Sequence, residues 1–575
     1  MTTKTGTLET DVLIVGGGGA GCRAAIEAHD QGSKVMMIVK GRLGHSGCTL
    51  NVGTSAGVGP WAVKEDSFFS SMRDLLAHGG YLGNQEMIKI LTEDTPERIA
   101  ELETWGVDFE RNEDGCIRVT HAAKHEYPRN VTFKPRSPGQ HEYGYPPGIA
   151  MMDALINQIQ KRDILVMDEV MLVDLLKNEG KVVGVTALDY QKPDLLVIKA
   201  KATILATGSF SQIFEASTVS LQETGDGQAA AFRAGADLID MENTQFIATG
   251  TGSPPNSVLL NARGEQFLER YGITSLNGVD KEALCYAVAK EIKQGGGTAQ
   301  GNILVDMTGA WKDSTLPPSI LATFEENLQS RGTPYFSLDN TEGFDPKTKP
   351  VETGPIAHTT TGGVRTNTRC ETSIPGLYAA GAVAGGLYGH ARPEGYTSMI
   401  TVVFGKRSGT FASEYARSAN EPVLDDTAVQ TSLDRALSLT VEAGGIKPKD
   451  TKDHIKATMQ QYAWVVKDEA LLNRGLQEIR DTKEIQRITS LNSTFRVEPQ
   501  SGERWVTAIE VPNMLQCAEL MLVGSLDRKE SRGAFFRDDY PETDNDNWLK
   551  NIISRTLDGE IVIDHVPVNL TYCRP

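Results

Sequence analysis

Three glycines near the start of the chain have the spacing of a phosphate-binding turn. Gly16, Gly18 and Gly21 form a GxGxxG pattern. In such a turn the first glycine permits a tight bend, the second lets the backbone approach a pyrophosphate, and the third allows the next helix to pack closely. A tight turn that binds nothing is the competing interpretation, because the pattern alone is weak. The elements around the glycines therefore decide its meaning.

The flanking segments fit a strand–turn–helix–strand unit. Residues 11–15 (DVLIV) form a short apolar run without polar alternation, as in a strand buried on both faces, and a helical stretch then runs to Gly32. A second strand is predicted from Val35 to Val39. This context favours a dinucleotide cofactor, either NAD or FAD. Lys40 stands where an acidic residue usually ends the second strand, and this weakens the prediction that the cofactor is NAD.

The composition favours a multidomain enzyme. The formal net charge of the 575 residues is −18, and so acidic a chain repels nucleic acid. The seven cysteines include no CxxC pair, which argues against a disulfide scaffold, a zinc site and an iron–sulfur cluster of the chain's own. No apolar run approaches about 18 residues, and the N-terminus carries no signal sequence. We therefore expect no metal site, no membrane span and a cytoplasmic location.

Later segments decide between the two cofactors. They are ATGSF at 206–210, TGDG at 224–227, IPGLYAAGAVAGG at 374–386, YTSMITVVFGKRSG at 396–409 and the ESRG-containing stretch 517–550. Together they resemble the flavoprotein family of succinate dehydrogenase, fumarate reductase, L-aspartate oxidase and the flavin subunit of adenylylsulfate reductase. The resemblance covers nearly the whole chain and implies that the cofactor is FAD.

The resemblance implies an α/β fold in several domains. A Rossmann-like FAD-binding domain carries an inserted α+β capping domain and is followed by a C-terminal helical bundle. The predicted boundaries are 1–240 plus 351–425 for the FAD-binding domain, 241–350 for the capping or substrate domain, 426–540 for the helical domain and 541–575 for an irregular C-terminal tail.

Carried over residue by residue, the resemblance places FAD along four stretches of the chain. The residues are Gly16, Gly18 and Gly21 at the pyrophosphate; Lys40, Ser46, Gly47, Cys48 and Thr49 along the flavin; Ala206, Thr207, Gly208 and Asp226 at the adenosine half; and Gly381, Ser398 and Met399 at the isoalloxazine end.

Two departures from the family pattern bear on the cofactor. Members that bind FAD covalently carry a histidine where this chain has Gly47, and His45, two positions earlier, is a neighbour rather than a linker. We therefore expect non-covalent FAD. The family's Gly-Glu pair at a later strand end reads Gly381-Ala382 here, which removes one polar contact to the cofactor.

The resemblance also implies three catalytic side chains. HTTTGGV resembles the family's HxTxGG segment, whose histidine binds substrate, and this places the role on His358. GHARPEGYTS resembles RxGxNS, whose arginine clamps a carboxylate, and Arg392 matches it. The planar fork of arginine suits bidentate binding of a carboxylate. The family's proton-donating arginine falls on Lys281, which donates efficiently only if burial lowers its pKa and is otherwise a solvated lysine at a helix start.

The substrate-binding segments depart from fumarate chemistry. The family's QFHPTG-like segment reads QFIATG here, so Ile247 stands where a histidine would hold a second carboxylate. The RGEGG-like segment is absent. A dicarboxylate would leave one charged end poorly satisfied. The resemblance implies hydride exchange at a carbon–carbon bond beside a carboxyl group, and these departures lead us to expect a small acid other than fumarate or succinate as the substrate.

Two other functions stay open at this point. One is sulfur-centred chemistry like that of the adenylylsulfate reductase flavin subunit. The other is an electron-transfer subunit with no substrate site of its own. In every case the chain needs an external electron carrier. The resemblance implies an iron–sulfur partner subunit, with dioxygen or a small carrier as the alternative, and an oligomer is compatible with the sequence.

Overall fold

A mixed sheet built around the first βαβ unit forms the centre of the molecule. The computed structural model describes residues 6–134, 148–249, 256–276, 278–312, 347–439, 447–492 and 502–575. In chain order its strands are β1 Gly6–Val15, β2 Val35–Val39, β3 Thr54–Ala56, β4 Val119–Thr120, β5 Asn130–Thr132, β6 Leu165–Asp168, β7 Val170–Asn178, β8 Lys181–Asp189, β9 Asp194–Leu205, β10 Leu238–Ile239, β11 Thr244–Ile247, β12 Val258–Leu260, β13 Ile303–Asp306, β14 Val351–Thr353, β15 Ile356–Thr360, β16 Gly363–Arg365, β17 Leu377–Ala379, β18 Ala384–Gly385, β19 Val466–Lys467, β20 Phe536–Arg537, β21 Lys550–Leu557 and β22 Glu560–Pro567.

The helices connect and cover these strands. In chain order the described ones are α1 Gly19–Asp30, α2 Phe68–His78, α3 Gln85–Thr104, α4 Gly148–Lys161, α5 Asp226–Ala234, α6 Lys281–Glu291, α7 Thr308–Lys312, α8 Tyr396–Ser418, α9 Asp426–Ser438, α10 Pro448–Tyr462, α11 Glu469–Asn492, α12 Gly502–Asp527 and α13 Asn545–Trp548.

The main sheet has seven strands, in the order β6-β2-β1-β9-β8-β7, with β17 also paired to β9. Strands β6, β2, β1, β9 and β17 run parallel, while β7, β8 and β9 form an antiparallel meander. The uniformly apolar residues of β1 from Val12 to Val15 are buried, as strands covered on both faces require. The predicted βαβ unit and meander are thus confirmed, and β17 brings a distant part of the chain into the same sheet.

Small residues let α8 lie directly on α1. A Cβ at Gly405 would lie 2.7 Å from the carbonyl oxygen of Ala20, and one at Gly409 would lie 2.5 Å from that of Ala24. Only glycine permits so close a helix crossing. The crossing matters for function because it fixes the N-terminal end of α8 beside the glycine turn that begins α1.

Between β9 and β17 of the main sheet, the chain forms several small sheets. Strand β11 pairs with β15, and β12, β13 and β14 form an antiparallel three-stranded sheet. Strands β14 and β15 follow residue 350 yet pair with strands of the predicted capping segment. The predicted domain boundaries stay predictions, and strand pairing crosses the one at 350.

Helix α12 is the apolar centre of the C-terminal helices and packs against α10, α11 and α5. It is long and apolar enough to cross a membrane by length and composition alone, although 72% of its apolar window is buried inside the protein. The expectation that the chain holds no apolar stretch of that length is corrected by this helix. In the structure its apolar side chains serve internal packing.

The C-terminal segment is more regular than predicted. Strands β21 and β22 form a hairpin, and β21 pairs with β10 to join a five-stranded sheet, β18-β16-β10-β21-β22. The turn is Asp558-Gly559, with φ of 51° and 87°, which is the positive-φ backbone that a two-residue hairpin favours. The prediction of an irregular tail is therefore wrong. The Asp-Gly pair was the sequence signal for the hairpin.

Candidate active site

The glycine turn between β1 and α1 has the geometry of a phosphate cradle. Gly16 has φ of +118°, and a Cβ there would lie 2.2 Å from the carbonyl oxygen of Ala206. A Cβ on Gly21 would lie 2.0 Å from the carbonyl oxygen of Gly16. By contrast, the nearest atom to a Cβ on Gly18 is Thr49 Oγ1 at 3.6 Å. The first and third glycines are thus required by the fold, while the second leaves the N-terminus of α1 accessible to an anion.

Lys40 and Asp226, both predicted to line the cofactor, bind each other. Lys40 Nζ lies 2.6 Å from Asp226 Oδ2 and 2.7 Å from Glu510 Oε1, and Asn513 Nδ2 donates to Asp226 Oδ1 at 2.8 Å. Glu510 and Asn513 come from α12, and sequence reasoning missed both. Polar residues within a largely apolar helix were the signal that could have found them.

The segment predicted to lie along the flavin forms a short turn. Cys48–Asn51 forms one turn of 3₁₀ helix, and Gly47 before it has φ of +86°. Thr49 Oγ1 accepts a hydrogen bond from the Gly19 amide at 3.0 Å, which ties this turn to the start of α1. Ser46 Oγ donates to the Arg42 carbonyl oxygen, and Cys48 Sγ accepts from the Ser220 amide at 3.3 Å.

The residues predicted at the isoalloxazine end lie where α1 and α8 begin. A Cβ on Gly381 would lie 2.9 Å from the Ala20 Cβ. Ser398 Oγ is 2.8 Å from Ser55 Oγ, and Met399 is fully buried. Since both side chains are engaged inside the protein, Ser398 and Met399 can reach a cofactor only through the backbone N–H groups at the N-terminus of α8.

Buried polar atoms at these segments fit a bound cofactor. Thr207 Oγ1 and Thr397 Oγ1 are buried without a hydrogen-bond partner in the described part of the chain. A buried polar atom left unpaired costs about 1–3 kcal/mol. Thr397 also lines a pocket, together with Gly381 and Arg392 among others. The unpaired hydroxyls therefore suit a bound polar group.

The three predicted catalytic residues converge from distant segments. Arg392 Nη2 lies 2.7 Å from His358 Nε2, and Lys281 Nζ donates to the carbonyl oxygen of Arg392 at 3.1 Å. Thr218 Oγ1 lies 2.7 Å from His358 Nδ1. Because a guanidinium can only donate, His358 Nε2 accepts, and its proton is on Nδ1, facing Thr218. His358 is thus a neutral, oriented imidazole beside a cation.

Burial sets the protonation of the two cations. Burial lowers the pKa of Arg392, although arginine keeps its charge at any physiological pH. Burial, followed by the positive charge of Arg392, lowers the pKa of Lys281 to about 8. Lys281 is therefore mostly protonated at neutral pH yet able to lose its proton, as a general acid must be.

Gln245, two residues before the substituted position Ile247, positions Arg392. Gln245 Nε2 donates to the Arg392 carbonyl oxygen at 3.2 Å and also to Glu282 Oε1. Both Gln245 and Ile247 lie on β11, whose partner strand β15 carries His358. Ile247 is only partly buried, and its hydrocarbon side chain cannot form a hydrogen bond. Strand pairing therefore brings Ile247 into the same region as His358.

A fully buried ion-pair cluster anchors the loop that carries Arg392. His390 Nε2 lies 3.0 Å from Glu242 Oε1, which also accepts from Arg528 Nε at 2.9 Å. Arg528 Nη1 donates to Glu530 Oε1 at 2.9 Å. A carboxylate oxygen from each of Asp240 and Glu242 and a ring nitrogen of His390 lie within 4.8 Å of one another, which is the spacing of a possible metal site. The Arg528 guanidinium, however, already supplies positive charge there. The cluster joins β10, β11 and the end of α12.

We expect Arg528→Met to lower the free energy of unfolding by about 3–5 kcal/mol, because it leaves buried carboxylates without a counter-charge. Chemical denaturation followed by circular dichroism measures the change. The matched control is Arg487→Met, since Arg487 is exposed and pairs with Glu484, three residues before it; we expect a loss of at most about 1 kcal/mol there. Equal losses in the two variants would contradict the role given to Arg528.

Comparisons with known proteins support the sequence predictions. A family model described as "FAD binding domain" matches residues 11–398, and one described as "Fumarate reductase flavoprotein C-term" matches 452–575. The chain is 30% identical over 573 residues to a subunit of the CoM/CoB fumarate reductase of Methanothermobacter marburgensis, covering 96% of this chain and 98% of the relative.

Solved structures agree on the fold. A chain of Escherichia coli quinol fumarate reductase superposes with a TM-score of 0.84 at 26% identity, over 99% of this chain and 98% of that one. Adenylylsulfate reductase of Archaeoglobus fulgidus gives 0.78 at 19% identity, over 99% and 97%. The predicted family, fold class and FAD cofactor are confirmed. The chain belongs to the family of FAD-dependent oxidoreductases formed by the fumarate reductase and succinate dehydrogenase flavoproteins.

Proposed function

We propose that this chain exchanges hydride at a carbon–carbon bond next to a carboxyl group, on a substrate other than fumarate or succinate. FAD, when bound, supplies the hydride-exchanging atom. The observation that carries the proposal is the meeting of three side chains from separate segments, with Arg392 2.7 Å from His358 and its carbonyl 3.1 Å from Lys281. Two cations and an oriented imidazole form a site for an anion that gains electron density during reaction.

Each of the three residues has a distinct task. The Arg392 fork binds the substrate carboxylate and stabilises charge that develops on it. His358, held by Thr218, orients Arg392 and adds a polar contact to the carboxylate. Lys281 gives its proton to the carbon next to the one that receives hydride. Reduction of an unsaturated acid thus uses one binding cation and one proton-donating cation.

The side chain at 247 argues against a dicarboxylate. A second carboxylate would face Ile247, which cannot donate a hydrogen bond, and leaving a charge without a partner in a buried site is costly. An unsaturated acid with one carboxylate and an apolar substituent satisfies the same position. This supports an altered specificity on the same chemical framework.

Anaerobic flavin reoxidation tests the proposal. The holoenzyme is photoreduced, and fumarate, crotonate-type acids and aryl-substituted unsaturated acids are added separately while the flavin absorbance is followed. We expect a monocarboxylic acid to reoxidise the flavin at least about tenfold faster than fumarate, since a site lacking a polar partner discriminates by that much or more. Fast reoxidation by fumarate would refute the altered specificity.

Sulfur-centred chemistry is the second candidate, favoured by Ile247, since such a substrate needs no second carboxylate partner. It predicts that AMP plus sulfite reduces the oxidised holoenzyme, and the same absorbance measurement detects this. An electron-transfer subunit without a substrate of its own is the third. It predicts that no acid in the series reoxidises the flavin while an artificial electron acceptor does.

We predict that FAD dissociates from the denatured protein. Gly47, in the position of the linking histidine, has no side chain, and no atom of the described chain lies within 4 Å of a Cβ placed there. After precipitation with acid, the yellow chromophore should remain in the supernatant, and a covalent flavoprotein of the same family treated in parallel should keep it in the pellet. Flavin retained in the pellet of this protein would refute the prediction.

Electrons also have to enter or leave the flavin. All of the described cysteines are free thiols, and most of them are buried. The relative from Methanothermobacter marburgensis is named for its place in a multi-subunit enzyme, which supports a partner here too. We propose that the partner is an iron–sulfur protein subunit and that the chain has a cytoplasmic location. Isolation from the native organism with an iron-containing chain bound would test this partner.

A further inference from the structure

The loop between α2 and α3, residues 79–84, lies directly against the backbone that leads to Arg392. A Cβ on Gly79 would lie 1.6 Å from the carbonyl oxygen of Tyr388, so only glycine fits there. The His390 amide donates a hydrogen bond to the Gly79 carbonyl oxygen at 3.1 Å. Because this contact is made by backbone without intervening side chains, the position of the α2–α3 loop fixes the backbone two residues before Arg392.

Segment 568–575, which follows the β21–β22 hairpin and is called the clasp below, binds the residue that follows this loop. That residue is Gln85, the first of α3, which is 1% exposed. Gln85 Oε1 accepts from the Tyr572 and Cys573 amides at 2.7 and 3.1 Å. Its Nε2 donates to the Cys573 carbonyl oxygen at 2.7 Å. One buried side-chain amide thus pairs with three backbone groups of the clasp, which requires both a donor and an acceptor.

Two further side chains from the C-terminal part of the chain hold carbonyl groups of the same loop. Asn551 Nδ2, on β21, donates to the Leu82 carbonyl oxygen at 3.0 Å, and Arg532 Nη1 donates to that of Gly80 at 2.8 Å. The clasp residue Cys573 belongs to the same hydrophobic cluster as Leu387 and Tyr388. The α2–α3 loop is therefore bonded at once to the C-terminal part of the chain and to the backbone before Arg392.

We infer that the clasp is a positioning element for Arg392. By holding Gln85 it keeps the α2–α3 loop against residues 386–390, and so keeps the guanidinium where a substrate carboxylate binds. Its effect on turnover rests on the proposed function. A misplacement of about 1 Å in a reacting or binding group costs about 100-fold in rate, so contacts outside the site can control its activity. Neither the Gln85 amide nor the backbone of the clasp titrates, so the clasp should act without changing the pH profile.

Removal of the clasp and its return as a peptide test the inference. A variant that ends at Pro567 should keep its FAD but lose about 10- to 100-fold in kcat/KM for the best unsaturated acid. Most of the loss should be a higher KM, because Arg392 binds the carboxylate. The peptide NLTYCRP, residues 569–575, added with a thiol reductant should restore most of the activity. It should fail to do so when the shortened variant also carries Gln85→Leu, since leucine has neither donor nor acceptor.

Amide hydrogen exchange gives a readout that needs no substrate. Removal of the clasp should speed exchange of the His390 and Asn84 amides, which donate to the Gly79 and Gly386 carbonyl oxygens across the loop contact, and the peptide should slow it again. Gln85→Leu in the otherwise unchanged chain should reproduce both effects, and it keeps the test valid if the shortened variant fails to fold. The control Gln477→Leu removes an exposed amide that bonds to Asp481 on α11 and should change neither exchange nor kcat/KM.

Three outcomes would overturn the inference. Unchanged kcat/KM and unchanged exchange in both variants would show that the α2–α3 loop holds Arg392 without the clasp. A lower melting temperature with unchanged kcat/KM per bound FAD would show that the clasp only stabilises the fold. Loss of bound FAD from both variants would likewise show a structural role. If no acid reoxidises the wild-type flavin, the proposed function fails instead, and the exchange of the His390 amide alone then decides whether the clasp positions this backbone.

Discussion

Arg392→Ala should lower substrate turnover by about 100- to 1,000-fold, the loss typical of removing a charge-stabilising donor from a water-excluded site. Arg392 contacts both of the other proposed catalytic residues, at 2.7 Å from the His358 imidazole and through its own carbonyl at 3.1 Å from Lys281. If the guanidinium binds the substrate carboxylate before and during reaction, as proposed, both kcat and kcat/KM should fall. Flavin reoxidation by the best unsaturated acid measures the effect.

The bound FAD separates a catalytic role from a structural one. The Arg392→Ala protein should purify with its full complement of FAD, because the cofactor cradle at Gly16 and Gly18 does not depend on this side chain. Arg392→Lys keeps the charge but loses the planar fork, so it should recover only part of the activity. Arg487→Ala, at an exposed site, is the matched control and should retain full activity. Loss of FAD from Arg392→Ala would show that the residue is structural.

Lys281→Met should lower kcat by about 100- to 10,000-fold with a smaller change in KM, since general acid catalysis is lost while carboxylate binding by Arg392 remains. The wild type should show a second sign of this role. The pKa of Lys281 is lowered to about 8 by burial and by Arg392, so the protonated donor is depleted as the pH rises through that value. For reduction of an unsaturated acid, kcat should therefore fall above about pH 8.

Lys281→Arg provides the discriminating control. Arginine stays protonated across this range, so the variant should retain activity and lose the decline above about pH 8. Lys290, on the same helix, pairs with Asp538, and Lys290→Met should leave the pH profile unchanged. An unaltered profile in Lys281→Arg would assign the pH dependence to another group and remove Lys281 as proton donor.

Regular local signals made the central fold predictable. The apolar run before Gly16 and the strand Val35–Val39 were found because parallel strands buried on both faces are apolar throughout. The pairing of β17 with β9 could not be read from the sequence, because β17 is a strand of only three residues and fits many partners. The hairpin after Trp548 was missed although its Asp558-Gly559 turn is a local signal.

Within the candidate site, the sequence pointed to individual residues but not to the contacts between them. His358, Arg392 and Lys281 were nominated from short motifs. Their contacts depend on β11 pairing with β15 and on the placement of α6, and the bond from Gln245 to the Arg392 carbonyl has no local signature. The salt bridge that Lys40 makes to Asp226 was likewise invisible, although both residues were expected at the cofactor.

The sequence by itself supplied a glycine turn with the spacing expected for a pyrophosphate. Its resemblance to the family nominated Arg392 to bind a carboxylate, Lys281 as the proton donor and Ile247 at the position of a second carboxylate partner. Those nominations rest on short motifs, which the chain carries in any conformation. Only the tertiary structure decided which groups meet and how they are protonated. Burial beside Arg392 lowers the Lys281 pKa, and the carboxylate neighbours Asp280 and Glu282 acquire their contacts with Lys124 and His78 only in the fold, because desolvation and charge–charge distances do not exist along an unfolded sequence.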